Sequence, residues 1–269
     1  ELSRLSATAP TRHPVPVSDD LWGVLVRAVA TRDDSQGAFD PTVGPLTTLW
    51  RQARRSGDLP LPAKLEAARS AVGPEALLLV DDPRGVRLTR PRMRLDLGGI
   101  GMGWAIDRAL AILTGQGISS ALIDASGDVG ASAPPPGEAG WRIAVDPIPG
   151  TPSAMTEHVL LAHAAITTSG DARQSVTIGG RRYSHIVDPR TGLGIDGPAA
   201  VTVIAPDATA ADALATAANV LGPVRGRTLL ENQADCAGRF VSVDGDGAVR
   251  EVQTSRWPGG AEPPPTAVP

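Results

Sequence analysis

The sequence predicts an α+β fold, and three observations carry that prediction. Helical and strand-like periodicities are both present, but they do not alternate in the regular βαβ order that a doubly wound parallel sheet needs. No segment repeats at the roughly 20–50-residue period of a solenoid or propeller. The 269 residues are 42% hydrophobic and 20% charged, a globular balance, and no run approaches the roughly 18 apolar residues of a membrane helix. We expect one folded unit over 1–254 and a disordered tail over 255–269, where PGGAEPPPTAVP has too little apolar surface to order itself.

The elements follow in order. Residues 18–31 place Leu21, Trp22, Leu25, Val26 and Val29 at helical spacing behind a Ser18 cap with acids in the first turn. GAFDPTVGPLTTLW is punctuated by Gly, Pro and Asp and reads as irregular, ahead of a Pro- and Arg-rich connector and the helix-like PAKLEAARSAV. Residues 76–97 read as a strand pair turning at Asp82-Pro83-Arg84-Gly85. GGIGMG then opens a helix, WAIDRALAILTGQG, with Gly117 at its stop. Strand-like runs follow at SALIDASGDVGA, WRIAVDPI, EHVLLAHAAITTSG, QSVTIGG, RRYSHIVDP and AAVTVIAP. Asp207–Leu221 is an Ala-rich helix ended by Gly222-Pro223, and GRFVSVDGDGAVREV alternates as a closing hairpin with Asp-Gly turns.

Composition narrows the chemistry. The net charge of −4 argues against nucleic acid, which needs clustered positive charge. Lys64 is the only lysine, so neither a lysine phosphate clamp nor a Schiff base is expected. Cys236 stands alone, which excludes an intramolecular disulfide and a cysteine metal cluster. Glu1–Ser6 is not a signal peptide and carries no initiator Met, so the chain reads as trimmed, with any targeting segment upstream.

Four motifs can carry chemistry. Asp96–Gly103 puts four glycines between a strand and a helix, where close backbone approach and free helix N–H groups suit a nucleotide diphosphate. The spacing is neither GxGxxG nor a Walker loop, and a tight strand-to-helix turn is the plain alternative. Asp212 and Thr216, at i and i+4, set a carboxylate and a hydroxyl on one helix face, as Mg²⁺ favours, though such pairs are usually just solvated. His185, in RYSHIVDPRTG, can carry a proton or be a structural residue, and Thr167–Asp171 upstream is an anion-binding or ordinary hydroxyl-rich turn. Ala38-Phe39-Asp40 can hold a ring and its polar edge, or Phe39 can be a core anchor.

Taken together, GAFDPTVGPL, DLGGIGMGWAIDRA, ALIDASGDV, ITTSGD, YSHIVDPRTG and VTVIAPDATAADALATAANVLG resemble, in order and spacing, the ApbE family of FAD:protein FMN transferases. The resemblance runs from ELSRLS to about Gly222. It implies a single T-fold-like unit of two subdomains, with mixed sheets and flanking helices, that binds FAD as substrate in the cleft between them. It places FAD contacts at Ala38, Phe39, Asp40, Asp96, Met102, Ser169, Gly170, His185 and Ile186. It places Mg²⁺ on the Gly99 carbonyl and the side chains of Asp212 and Thr216, with His185, Asp212 and Thr216 as the catalytic set. The implied reaction moves FMN from FAD to a Thr or Ser hydroxyl of an acceptor flavoprotein, releasing AMP. Family members are commonly exported or anchored on the outer face of a membrane.

The chain departs from the family at Met102, where many members carry Lys, and at Asp124 and Ser126, where Asn and Gly are usual. A family strand with further FAD contacts lies upstream of ELSRL. Three other readings compete: a Mg²⁺-dependent FAD pyrophosphatase, a non-catalytic flavin carrier, and a serine hydrolase built on Ser169, His185 and Asp188. The last lacks a GxSxG elbow.

Overall fold

The computed structural model describes residues 1–145, 157–170, 174–196, 199–243 and 248–258. After the short α1 (Leu2–Ala7), α2 (Asp19–Asp34) begins where expected: Ser18 accepts the Leu21 N–H at 3.2 Å, and Asp19 and Asp20 fill the first turn. It buries Leu21, Val24, Leu25 and Ala28, whereas Val26, expected on the apolar face, is exposed.

The stretch read as irregular contains a helix, α3 (Gly44–Ser56). Pro45 stands in its first turn, where no N–H is needed, and Gly57 ends it at φ 77°. The Pro and Gly that suggested a loop are its start and stop signals. Leu46, Trp50 and Ala53 bury its inner face. α4 (Pro62–Arg69) packs beside it. A 3₁₀ turn (Pro74–Ala76) leads into the expected hairpin of β1 (Leu77–Asp81) and β2 (Arg84–Leu88). Residues 89–97 are not a strand; only Arg94 pairs, in an isolated bridge to Val43.

The main sheet has six strands: β3 (Leu122–Ala125), β4 (Asp128–Ala131), β7 (Ala164–Gly170), β11 (Ala199–Ala205), β12 (Ala237–Val243) and β13 (Val249–Gln253). Their spatial order is β13-β12-β11-β7-β4-β3. The smaller sheets are the hairpin of β5 (Trp141–Val145) with β6 (Glu157–Leu161), and β8 (Ser175–Ile178), β9 (Arg181–Val187) and β10 (Gly194–Asp196) in the order β10-β9-β8. Where mixed sheets were expected, every strand pairing among the described residues is antiparallel, and the parallel contact is the Val43–Arg94 bridge. The Asp-Gly turn between β12 and β13 lies outside the described residues.

Helices α5 (Gly101–Gly115) and α6 (Ala208–Glu231) cover one face of the main sheet. Alanines let α6 lie between the sheet, α5 and α2, burying Ala208, Ala211, Ala215 and Ala218 among others. A Cβ on Gly103 would fall 2.1 Å from the Ala208 carbonyl oxygen, so the two helices cross at contact distance there. Asp107 completes that junction by accepting the Ala208 and Thr209 N–H groups, each at 2.8 Å, while Asp207 caps Ala210 at 2.7 Å. The helix does not end at Gly222-Pro223: Gly222 kinks it (φ 74°, ψ 177°) and it resumes to Glu231. On the other face of the sheet, the β5–β6 hairpin and Trp257 close a second core around Val129, Ile166 and Leu161. Trp257 is buried and donates to Glu157 at 3.2 Å, and Ser255 is tied to Glu231, so packed chain continues into the stretch expected to be tail. Residues 259–269 lie outside the described residues.

Candidate functional site

A cavity of about 820 Å³ opens where α3, the glycine turn before α5, β4, β7, β9 and α6 converge. Its volume falls in the roughly 300–1,000 Å³ range of small-molecule and cofactor sites. It is lined by Ala38, Phe39, Asp40, Asp96, Gly99, Ser169, Gly170, His185, Ile186, Asp212 and Thr216. All but one of the residues that the resemblance places at the FAD and metal site therefore meet around one cleft. The exception is Met102: it is 44% exposed on the first turn of α5 and lies outside the lining, and only its backbone N–H turns toward Asp212.

Local structure explains how each group is held. Asp40 is buried and spends its carboxylate on the turn, with Oδ1 accepting the Thr42 N–H at 2.8 Å and hydroxyl at 2.7 Å. Burial pushes its pKa up, and the Thr42 bonds oppose that rise. Phe39 is both a cleft wall and a member of the main core. Asp96 accepts Thr47 Oγ1 at 2.6 Å, Arg51 Nη2 at 3.0 Å and the Gly98 N–H at 2.9 Å, which fixes the glycine turn to α3. Ala38 and Ile186 pack with Val220 in a small apolar cluster. His185 sits half-buried on β9, its backbone N–H donating to the Gln174 carbonyl at 2.9 Å.

One buried carboxylate and one half-buried carboxylate define the electrostatics. Asp212 is 9% exposed, with the Gly103 N–H 3.1 Å from Oδ2. Burial, reinforced by the nearby Asp128 charge, pushes its pKa from 3.8 to about 7 against the pull of the Gly103 and Met102 N–H groups. Asp128 does not stand out in the sequence. Burial first, and Asp124 after it, push its pKa to about 6, against a bond from the Thr168 N–H. Nothing in the residue pattern distinguishes Asp128 from a hairpin acid, because its burial comes from the packing of β4 against β7.

The donor set fits a hard cation. Gly99 lies so close to Thr216 that a Cβ there would fall 2.8 Å from its Oγ1, which brings the Gly99 backbone, the Thr216 hydroxyl and the helix face carrying Asp212 together. Carboxylate, hydroxyl and carbonyl oxygens are what Mg²⁺ accepts, with water and phosphate completing its shell. Among the described residues no group of three or more His, Cys, Asp or Glu side chains stands together. Thr167, which the sequence marks only as part of a hydroxyl-rich turn, lines the same cavity with a buried Oγ1 that has no hydrogen-bond partner among the described residues.

One alternative loses its geometry. Asp188 is held by Arg190, whose Nη2 is 2.8 Å and Nε 2.9 Å from its oxygens, in the turn after β9. A hydrolase triad of Ser169, His185 and Asp188 would need that carboxylate for the imidazole.

The chain matches the ApbE family over residues 1–240. It is 33% identical over 236 residues to an FAD:protein FMN transferase of Vibrio cholerae, covering 86% of this chain and 69% of that protein. It is 30% identical over 239 residues to one from Salmonella typhimurium, covering 87% and 68%. Among solved structures, the apo flavinyl transferase ApbE of Pseudomonas stutzeri superposes with a TM-score of 0.81 at 32% identity, over 94% of this chain and 78% of that one. The flavin transferase ApbE of Vibrio cholerae gives 0.82 at 31%, over 94% and 80%. With its sequence matched over most of its length and its fold matched over nearly all of it, the chain belongs to the ApbE family.

Proposed function

We propose that this chain is a Mg²⁺-dependent FAD:protein FMN transferase that attaches FMN to a Thr or Ser hydroxyl of an acceptor protein and releases AMP. The observation that carries the reading is the meeting of Asp212, Thr216 and Gly99 in the wall of a cofactor-sized cleft that also holds Asp96, Ser169, Gly170 and His185. Asp212, Thr216 and the Gly99 carbonyl would hold Mg²⁺, which supplies charge neutralisation for a diphosphate. The positive end of the α5 dipole, whose Gly103 and Met102 N–H groups face Asp212, lies at the same place and favours negative charge there. Phe39, Ala38 and Ile186 offer apolar surface for a ring.

In the reaction the acceptor oxygen bonds to the FMN-side phosphorus as the bond from that phosphorus to the bridging oxygen breaks. AMP departs with the bridging oxygen. His185, half-buried in the cleft wall, is placed to take the hydroxyl proton. Holding and orienting the two reactants supplies most of the acceleration in such transfers.

The test is to incubate the chain with FAD and Mg²⁺, with and without an acceptor domain carrying the Thr. Covalent flavin is scored by in-gel fluorescence, and AMP and FMN by chromatography. Covalent flavin that is lost in Asp212→Ala and in His185→Ala supports the transferase. AMP and free FMN without covalent flavin would replace it with the pyrophosphatase, and bound but intact FAD with the carrier.

A further inference from the structure

The cleft carries cations that neither the motifs nor the proposed metal set uses. Thr47, Arg51 and Arg54 follow one another at i, i+4 and i+7 on α3, a single helix face, and all three line the cavity. The adjacent face, one residue back at each step, carries Leu46, Trp50 and Ala53 into the core, so the stripe is held in place by buried neighbours on the same helix.

The two arginines stand in different situations. Arg51 is paired with Asp96 at 3.0 Å, beside the glycine turn, and thereby offsets a carboxylate that would repel a phosphate. Arg54, one turn further along, makes no ion pair among the described residues, and its Nε is buried without a hydrogen-bond partner. A guanidinium donor left unmatched in a cavity wall is costly unless a ligand completes it. The single lysine, Lys64, is on α4 and outside the lining. Asp128 and Asp212 carry the opposite sign across the same cavity.

We infer that Arg54, with Arg51 behind it, reads a phosphate of the nucleotide substrate and is a specificity-determining residue of this cleft. The inference rests on the flavin-nucleotide reading above and adds to it the residues that tell a phosphorylated flavin from a bare one. A planar guanidinium fork matches a phosphate oxyanion with two parallel hydrogen bonds, which an ammonium does not reproduce.

Binding to the full chain in Mg²⁺ buffer tests it with three probes: FAD and riboflavin by flavin fluorescence, and inorganic pyrophosphate by calorimetry. Arg54→Gln is expected to weaken FAD and pyrophosphate by about tenfold or more and leave riboflavin unchanged. Arg54→Lys should recover part of the loss, and Arg51→Gln should show a smaller loss with the same selectivity. A purely structural role would weaken riboflavin and FAD together, and would also lower the urea midpoint. Either that pattern, or FAD and pyrophosphate binding unchanged in Arg54→Gln, overturns the inference. If the wild-type chain binds no FAD, the flavin reading fails, and pyrophosphate alone still decides whether Arg54 holds an anion.

Discussion

Without metal at pH 8, replacing Asp212 by Asn should make the protein more stable even as it removes activity. The carboxylate is buried, receives the Gly103 N–H, and feels the charge of Asp128. Its pKa stands at about 7 against an ordinary 3.8, a difference worth about 4 kcal/mol at 1.36 kcal/mol per pH unit. The sign follows from proton counting. Between about pH 4 and 7 the unfolded chain has released this proton and the folded one keeps it, so stability falls as pH rises through that window and the full cost is present above it. Asn keeps an acceptor for the Gly103 N–H and carries no charge. Allowing for relaxation around the ion, a gain of about 2 kcal/mol is expected, which at this chain length raises the melting temperature by roughly 4–8 °C. Urea unfolding with EDTA at pH 4.5 and pH 8 measures it. The gain should be present at pH 8 and nearly absent at pH 4.5, and added Mg²⁺ should stabilise the wild type but not the variant. An Asn variant that is less stable at pH 8, or equally shifted at both pH values, would refute the reasoning.

Three further outcomes follow from the same geometry. Gly99→Ala sets a Cβ 2.8 Å from Thr216 Oγ1 and 3.0 Å from its Cγ2, so the Mg²⁺ concentration for half-maximal turnover should rise about tenfold; an unchanged Mg²⁺ titration removes Thr216 from the metal set. Asp128→Asn removes a charge that disfavours ionised Asp212, so the acid limb of the pH–rate profile should move to lower pH; no movement, or movement to higher pH, sinks that coupling. Trp257→Ala empties a buried position in the second core and should cost about 3–5 kcal/mol in urea unfolding; a cost below about 1 kcal/mol would mean that packing ends before residue 255.

What is legible in the sequence is what short-range chemistry controls. The Ser18 cap, the β1–β2 turn and the six strand-like runs are local patterns, and the structure keeps them. Asp212 and Thr216 can be paired on paper because four residues on a helix return to the same face. Gly and Pro mislead in both directions: around Val43 they read as breaks but bracket α3, and at Gly222-Pro223 they read as an end but kink α6. Composition hides Trp257, because a Pro- and Gly-rich neighbourhood masks one residue that packs across the sheet.

The residues that the sequence does not reveal share a cause. Asp128, Thr167 and Arg54 owe their chemistry to burial by elements remote in the chain, and burial by remote elements leaves no local signature. The cleft they complete is two-signed, with carboxylates on the β4 and α6 side and guanidinium groups on α3. A cation placed among the carboxylates and a phosphate placed against the arginines would each relieve a cost that the protein bears alone, and the metal-bound diphosphate of the proposed reaction would do both at once. The same arrangement explains why the strongest stability gain is expected from neutralising Asp212, a residue that the proposed reaction would need.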